Sequence, residues 1–445
     1  MYIQQSLFLV TALFLGFSTT APTPATPIRL PLRRITKNNE LNKRDFLSSL
    51  DHPLLSNSPL STSLLNDIDL FQYGIEVQVG TPGQEFLLLF DTGSSDTWIP
   101  SQKCTKEKGC LSGRQYDPSQ STTYQGELNK VNITYGIGAA TGHYFVDRLQ
   151  VGDQANLGIP SQTLVLIDDN QGPIAQQSTA NDNNEQDDNS LLSPTSSNQH
   201  PLIDGIFAAG FPAGTLMAQQ KQHDQYTPYP IGLWENKLIP APLFSLTMDE
   251  GSTQATGSDW IGEVMFGAVD DSKHTDVIQY TSVIKRNDGV YSHWMVGVNG
   301  FQYDNGTNMN FHFTEPTHFL VDSGSNFMYL PKGLSDQLAD VVSKGTATWT
   351  GATYRVDCAL MDENNNDGKA LLNVMFPQLD NNTISFAMSV PVARLVGKNG
   401  ADDQCILYFA PSQTSNVFTL GNLWLRHFVS VFNFGDYRVG FSPLA

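Results

Sequence analysis

Two aspartates, Asp91 and Asp322, stand in stretches that repeat one another. Residues 87–100 read LLLFDTGSSDTWIP and residues 318–331 read HFLVDSGSNFMYLP: an apolar run, Asp, a small hydroxyl residue, Gly, Ser, and a Pro nine positions after the Asp. Stacked repeats recur at a short fixed period, whereas two copies this far apart describe two similar halves, each contributing one carboxylate. If the halves face each other about a pseudo-twofold axis, the carboxylates come within hydrogen-bond range. Two like charges that close do not both ionise readily, so one proton is shared over a wide pH range. One carboxylate can then act as general base on a trapped water while the other, protonated, donates to a carbonyl oxygen. That is amide hydrolysis at acid pH without a metal or a covalent intermediate. The residues around each Asp suit the scheme. Gly93 and Gly324 permit a tight turn that brings backbone N–H groups toward the carboxylates, and Ser94 and Ser325 can donate to the ionised form. Thr92 and Ser323 carry hydroxyls suited to bonding across the axis.

The elements that must position these residues read as strands. The chain has 445 residues, 40 % of them apolar and only 16 % charged, with 36 Gly and 24 Pro spread along it. That composition suits many short strands joined by turns in two β lobes. In residues 73–80, Ile75, Val77 and Val79 alternate with Glu76 and Gln78, a half-buried strand ending at the turn 81–83. Residues 86–90 are continuously apolar and lead into Asp91, so both faces of that strand should be buried. Residues 131–143, VNITYGIGAATGH, set Tyr135 beside Gly136 and Gly138 and read as a hairpin with a mobile tip. Residues 168–199 are nearly devoid of aromatic and branched apolar residues and read as a disordered surface insertion. The passage between lobes falls at residues 243–246. Strand-like runs at 264–266, 293–298 and 311–321 lead to the second Asp, residues 362–368 form a polar loop, and a short helix candidate after Gly421 precedes two closing strands.

The flanking sequence and the charge bear on location. Residues 6–17 are an apolar run of twelve followed by small residues, too short to span a bilayer and placed as a signal-peptide core, with cleavage near residues 18–21. Residues 22–44 are Pro-rich and basic, with Arg29, Arg33, Arg34, Lys37, Lys43 and Arg44 against Glu40 alone, and read as a pro-segment that ion-pairs with an acidic body and inhibits it. Lys43-Arg44 reads as a dibasic processing site. The expected organisation is a signal peptide over 1–21, a basic pro-segment over 22–44, an N-terminal β lobe over 45–248 carrying the insertion, and a C-terminal β lobe over 249–445. No apolar tail follows the last strand, so no membrane anchor is expected. The net charge of −19 argues against nucleic-acid binding and for a soluble, acid-tolerant protein. Four cysteines allow three pairings; pairing within each half closes one tight and one long loop and suits an oxidising compartment. No H-E-x-x-H and no G-x-S-x-G motif occurs, which excludes the common metallo- and serine-hydrolase patterns, and neither a metal nor a cofactor is expected.

On the two Asp stretches, the Tyr135 hairpin and the closing strands, the chain from about Asn66 onward resembles the pepsin-family aspartic endopeptidases, most closely the secreted fungal type. The resemblance implies an all-β, bilobal fold with a pseudo-twofold axis and a central cleft for an extended peptide. It implies that Asp91 and Asp322 are the catalytic dyad, supported by Thr92, Gly93, Ser94, Ser323, Gly324 and Ser325. Tyr135, Gly136, Ile137 and Gly138 would form a flap over the substrate, with Trp98 hydrogen-bonded to Tyr135, and the disulfides would be Cys104–Cys110 and Cys358–Cys405. It further implies a monomeric zymogen that cleaves peptides or proteins beside bulky apolar residues, secreted, with a vacuolar location as the alternative. A catalytically inactive pseudo-protease serving as a binding or inhibitor protein is the rival reading; the intact dyad, loop glycines and Tyr135 speak against it. The chain departs from the family at Ala208, where Gly stands behind the first Asp, and at Asn422, where Asp is frequent. Sequons at Asn132, Asn305 and Asn381 are candidate glycosylation sites.

Overall fold

The computed structural model of the chain describes residues 27–35, 72–135, 138–152, 158–172, 174–175, 202–220, 225–248, 260–379, 381–398, 404–413 and 417–445. The expected signal peptide, Gly136 and Ile137 at the flap tip, and most of the expected insertion lie outside them. The fold is all-β and bilobal, with a thirteen-stranded, a seven-stranded and a four-stranded sheet among the described residues.

The first lobe is built from β2 (Gln72–Val79), β3 (Gln84–Asp91), β4 (Trp98–Pro100), β5 (Glu127–Tyr135), β6 (Gly138–Val151), β7 (Ile159–Asn170) and β8 (Gly205–Ala208). As its apolar run requires, β3 is buried on both faces from Phe86 to Phe90. It pairs parallel with β8, β8 pairs antiparallel with β4, and β4 pairs parallel with β7. The second lobe repeats this arrangement. Strand Asn308–Val321 pairs parallel with Phe418–Leu420, which pairs antiparallel with Met328–Leu330, which pairs parallel with Phe409–Pro411. The duplicated sequence thus folds into a duplicated motif, with each Asp at the end of a strand whose last residues are buried: Phe86 to Phe90 before Asp91, and Phe319 and Val321 before Asp322.

The lobes share a sheet. Strand β9 (Leu243–Met248) pairs with β10 (Trp260–Phe266) on one side and with Phe428–Asn433 on the other. Beneath it Phe244 stacks on Phe432 with centroids 4.8 Å apart, and Trp294 meets both edge-on. This aromatic floor is one continuous core under both halves.

The same sheet admits a strand from the expected pro-segment. Strand β1 (Ile28–Ile35) lies between β10 and β2, antiparallel to both. Ile28, Leu30 and Leu32 are buried, while exposed Arg29 places Nη2 2.6 Å from Asp270 Oδ2 and Nε 3.4 Å from Glu263 Oε2. The expected ion pairing is present, but it is not the main hold. An ion pair with Arg29 half exposed contributes about 0–1 kcal/mol, whereas each buried aliphatic side chain contributes roughly 1.5–3 kcal/mol. The basic character of the segment hid its alternation.

Strand β7 corrects the start of the insertion. It runs on to Asn170, past the expected boundary at Asp168, because polar side chains there find partners: Asp168 Oδ1 accepts from Ser101 Oγ at 2.6 Å, and Asn170 Nδ2 donates to the Gly109 carbonyl at 3.0 Å. The polar loop 362–368 likewise contains the start of a short helix, Asn366–Lys369, capped by Asn365. The helix expected after Gly421 forms at Asn422–Leu425, and the closing strands are Phe428–Asn433 and Arg438–Pro443. Among the described residues no helix is long and apolar enough to cross a membrane.

Candidate active site

Asp91 and Asp322 meet between the lobes, 6 % and 8 % exposed, each carboxyl lying against the other's loop. Each is held by its own loop in the same way. Asp91 Oδ1 accepts from the Gly93 N–H at 2.7 Å and Oδ2 from Ser94 Oγ at 2.5 Å. Asp322 Oδ1 accepts from the Gly324 N–H at 2.8 Å and Oδ2 from Ser325 Oγ at 2.5 Å. The glycines are required by proximity, since a Cβ on Gly93 would collide with the Asp322 carboxyl and one on Gly324 with that of Asp91.

A second layer of bonds crosses the axis beneath the pair. Thr92 Oγ1 donates to the Val321 carbonyl at 2.8 Å and accepts from the Ser323 N–H at 3.0 Å. Reciprocally, Ser323 Oγ donates to the Phe90 carbonyl at 2.7 Å and accepts from the Thr92 N–H at 3.1 Å. Four bonds between buried groups of the two lobes fix the carboxyl separation. Further back, Ala209 N–H donates to the Asp91 carbonyl and Asp322 N–H to the Leu420 carbonyl.

Burial, and then the neighbouring charge of Asp322, push the Asp91 carboxyl up to about 8, against the lowering pull of Ser94 and Gly93. A proton therefore stays on the pair well above the ordinary carboxylate range. One neutral acid beside one carboxylate can polarise a carbonyl and activate a water in the same step.

The indole Nε1 of fully buried Trp98 donates to Tyr135 Oη at 2.7 Å. Burial and the Asp91 charge hold the Tyr135 hydroxyl well above its usual range, so it stays neutral and keeps its proton for donation. Tyr135 pairs across the hairpin with Gly138, whose φ of 140° suits glycine and whose Cβ would strike the Gln171 carbonyl.

The remaining sequence candidates fall at the periphery. The disulfides are Cys104–Cys110 and Cys358–Cys405. Asn132 on β5 and Asn305 at a hairpin tip are exposed, and Asn381 opens a strand. Ala208 fits behind the first Asp: it is buried, pairs with Asp91 across β3 and β8, and donates its N–H to Thr97 Oγ1 at 3.0 Å. The corresponding Gly421 has no such room, since a Cβ there would strike the Phe327, Ser325 and Asn326 carbonyls. Among the described residues no group of His, Cys, Asp or Glu has a metal-binding arrangement.

Sequence reasoning missed a second acid of the Asp91 loop. Asp96 is 4 % exposed and accepts from Leu216 N–H, Tyr144 Oη and Tyr226 Oη, each at 2.8 Å. The available signal was a charged residue in an otherwise uncharged run, 92–100; its partners are too distant in sequence to have been found.

A fold of two like lobes with paired, proton-sharing carboxyls between them defines an aspartic peptidase. The family model for eukaryotic aspartyl proteases matches residues 72–444, and the chain belongs to that family. It is a pepsin-like aspartic endopeptidase. Mucorpepsin of Rhizomucor miehei is 34 % identical over 380 residues, covering 85 % of this chain and 80 % of that protein. Mucorpepsin of Rhizomucor pusillus is 34 % identical over 389 residues, 87 % and 82 % of the two chains, and cathepsin E of Mus musculus 27 % identical over 431 residues, 93 % and 94 %.

Proposed function

We propose that this chain is a secreted aspartic endopeptidase that acts at acid pH with Asp91 and Asp322 as its catalytic pair. A water between the carboxyls gives a proton to the ionised one and attacks the scissile carbonyl carbon. The protonated partner donates to the carbonyl oxygen. The resulting gem-diol collapses as a proton passes to the amide nitrogen, the C–N bond breaks, and the pair regains its single proton. Ser94, Ser325, Gly93 and Gly324 hold the ionised oxygens, and Thr92 and Ser323 hold the separation. The carrying observation is that two buried carboxyls are brought together from like loops, each with its own Gly N–H and Ser hydroxyl.

The apolar cluster around Trp98, Tyr135, Met217 and Tyr226 beside the pair supports a preference for bulky apolar residues near the scissile bond. Residues 1–21 act as a signal peptide and residues 22–44 as the inhibitory pro-segment, with β1 its seated part. Both carboxylates come from one chain, so the enzyme works as a monomer, and exposed Asn132 and Asn305 are open to glycosylation. Asp91→Asn and Asp322→Asn should each lower the cleavage rate on denatured globin at about pH 3–5 by roughly 10³-fold or more. Wild-type-like turnover in either variant sinks the assignment. The N-terminus of the secreted form checks the leader and cleavage after Arg44.

A further inference from the structure

Asp96 is the one buried acid of the Asp91 loop that the proposed mechanism leaves unused. Its Oδ1 accepts from both Tyr144 Oη and Tyr226 Oη, and its Oδ2 from the Leu216 N–H. Each donor belongs to a different part of the first lobe. Tyr144 is on β6, the returning strand of the flap; Leu216 opens the short helix Leu216–Gln219; Tyr226 lies beyond it. The ties extend further: Tyr226 Oη also reaches the Ser95 carbonyl at 3.1 Å, and Tyr144 Oη accepts from the Met217 N–H at 3.1 Å. The two rings pack edge to face with centroids 5.9 Å apart.

The segments joined in this way form the apolar cluster beneath the flap. Trp98, Tyr144, Met217, Tyr226 and Ile174 are among its buried members, and Tyr135 and Leu216 pack against it. Tyr135 is within electrostatic reach of both Asp91 and Asp96. A peptide side chain lying beside the pair under Tyr135 therefore meets a wall whose backbone is anchored on Asp96. A buried carboxyl with uncharged donors is expensive to keep unless its bonds are made, so the wall has one arrangement in which all three donors are satisfied.

We propose that Asp96 is a positioning residue that sets the apolar pocket under Tyr135 and so determines which peptide side chain the enzyme accepts there. It acts through Leu216, Tyr144 and Tyr226. An asparagine can reproduce most of the arrangement, its oxygen taking the Leu216 N–H and its NH2 facing the two tyrosine oxygens; alanine takes this acceptor from all three donors and leaves Tyr226 Oη only the Ser95 carbonyl.

This role rests on Asp91 and Asp322 being the catalytic pair. The test uses a peptide series in which each position flanking the scissile bond is changed in turn from Phe to Ala, with kcat and KM measured for the mature wild type, Asp96→Asn, Asp96→Ala and Tyr226→Phe. In Asp96→Ala the Phe-to-Ala preference in kcat/KM should fall about tenfold at one position and stay within about threefold at the others. Asp96→Asn should restore it. Tyr226→Phe, which keeps the ring and removes one donor, should give a smaller loss at the same position and keeps the test available if Asp96→Ala does not fold. Preferences that are unchanged, or that fall equally at every position, in the folded variants overturn the role. Asp322→Asn run alongside separates the two readings. If it cleaves like wild type, the catalytic assignment fails; if it is inert while the Asp96 variants keep wild-type preferences, only the role of Asp96 fails.

Discussion

Thr92 shows how much rests on one hydroxyl. It is fully buried, and its Oγ1 serves at once as donor to the Val321 carbonyl and acceptor from the Ser323 N–H. Valine has the same shape and neither capacity. Thr92→Val should therefore leave a buried N–H and a buried C=O without these partners and cost about 1–3 kcal/mol, measured as a lower midpoint in urea with an unchanged slope. The cut in kcat should be larger than the stability change implies, about tenfold or more, because carboxyl placement tolerates little displacement. A variant with wild-type kcat would show that the cross-axis bonds do not set the pair. Ser323→Ala provides the matching test from the other lobe, since Ser323 Oγ makes the mirror-image bonds to Phe90 and Thr92.

At the scale of elements, the two disulfides tie down very different lengths of chain. Cys104–Cys110 spans a separation of 6, and Cys358–Cys405 a separation of 47. By loop-closure entropy the long loop contributes about 4 kcal/mol and the short one about 2 kcal/mol. The long one joins the start of a 3-10 turn to strand Cys405–Leu407, an inner strand of the four-stranded sheet. Replacing both Cys358 and Cys405 by Ser should lower the denaturation midpoint by about twice as much as the same change at Cys104 and Cys110. Equal losses would mean that local packing, not chain constraint, sets their value. Strand β1 belongs to the same scale. Its apolar side chains and backbone ladder hold it in the shared sheet, so Leu32→Asp should release it more readily than Arg29→Ala, as read by limited proteolysis of residues 27–35.

For the whole molecule, two buried groups bound the pH range of stability from opposite sides. Asp91 is raised to about 8 by burial and Asp322. Its contribution is full below the unfolded carboxylate value near 4 and is lost as pH rises toward 8. His427 is 9 % exposed, and burial, then the charges of Arg426 and Arg394, lower it to about 3. Its neutral form is favoured in the fold, so its contribution is full above about 6.5 and is lost as pH falls toward 3. Each amounts to a few kcal/mol at most, since a tenfold change in proton affinity on folding is worth about 1.4 kcal/mol. Stability should therefore peak between about pH 4 and 6.5. In thermal scans across pH, Asp91→Asn should flatten the alkaline limb, and His427→Asn or His427→Gln the acid limb. A variant whose limb keeps its wild-type slope removes that residue as the cause.

Read by itself, the sequence determined the two-lobed β architecture and the paired aspartates with their Gly and Ser neighbours; the Trp98–Tyr135 partnership and the two disulfide pairings came through family resemblance. The first two were legible because each is encoded locally: an apolar run before each Asp, glycine at the turn after it, hydroxyl residues at fixed offsets, and a repeat that exposes the symmetry. Tertiary structure decided what depends on distant partners. The alternation in β1 was masked by its charge, and only the shared sheet shows which face is buried. The extension of β7 through Asp168 and Asn170 is supported by Ser101 and Gly109, far back in the chain. Ala208 is tolerated and a side chain at Gly421 is not, because different backbones approach them. Asp96 gains its meaning only where Tyr144, Leu216 and Tyr226 converge on it. A single strand or turn reports its own period and punctuation; the protonation and partners of a buried group are set by what folding brings against it.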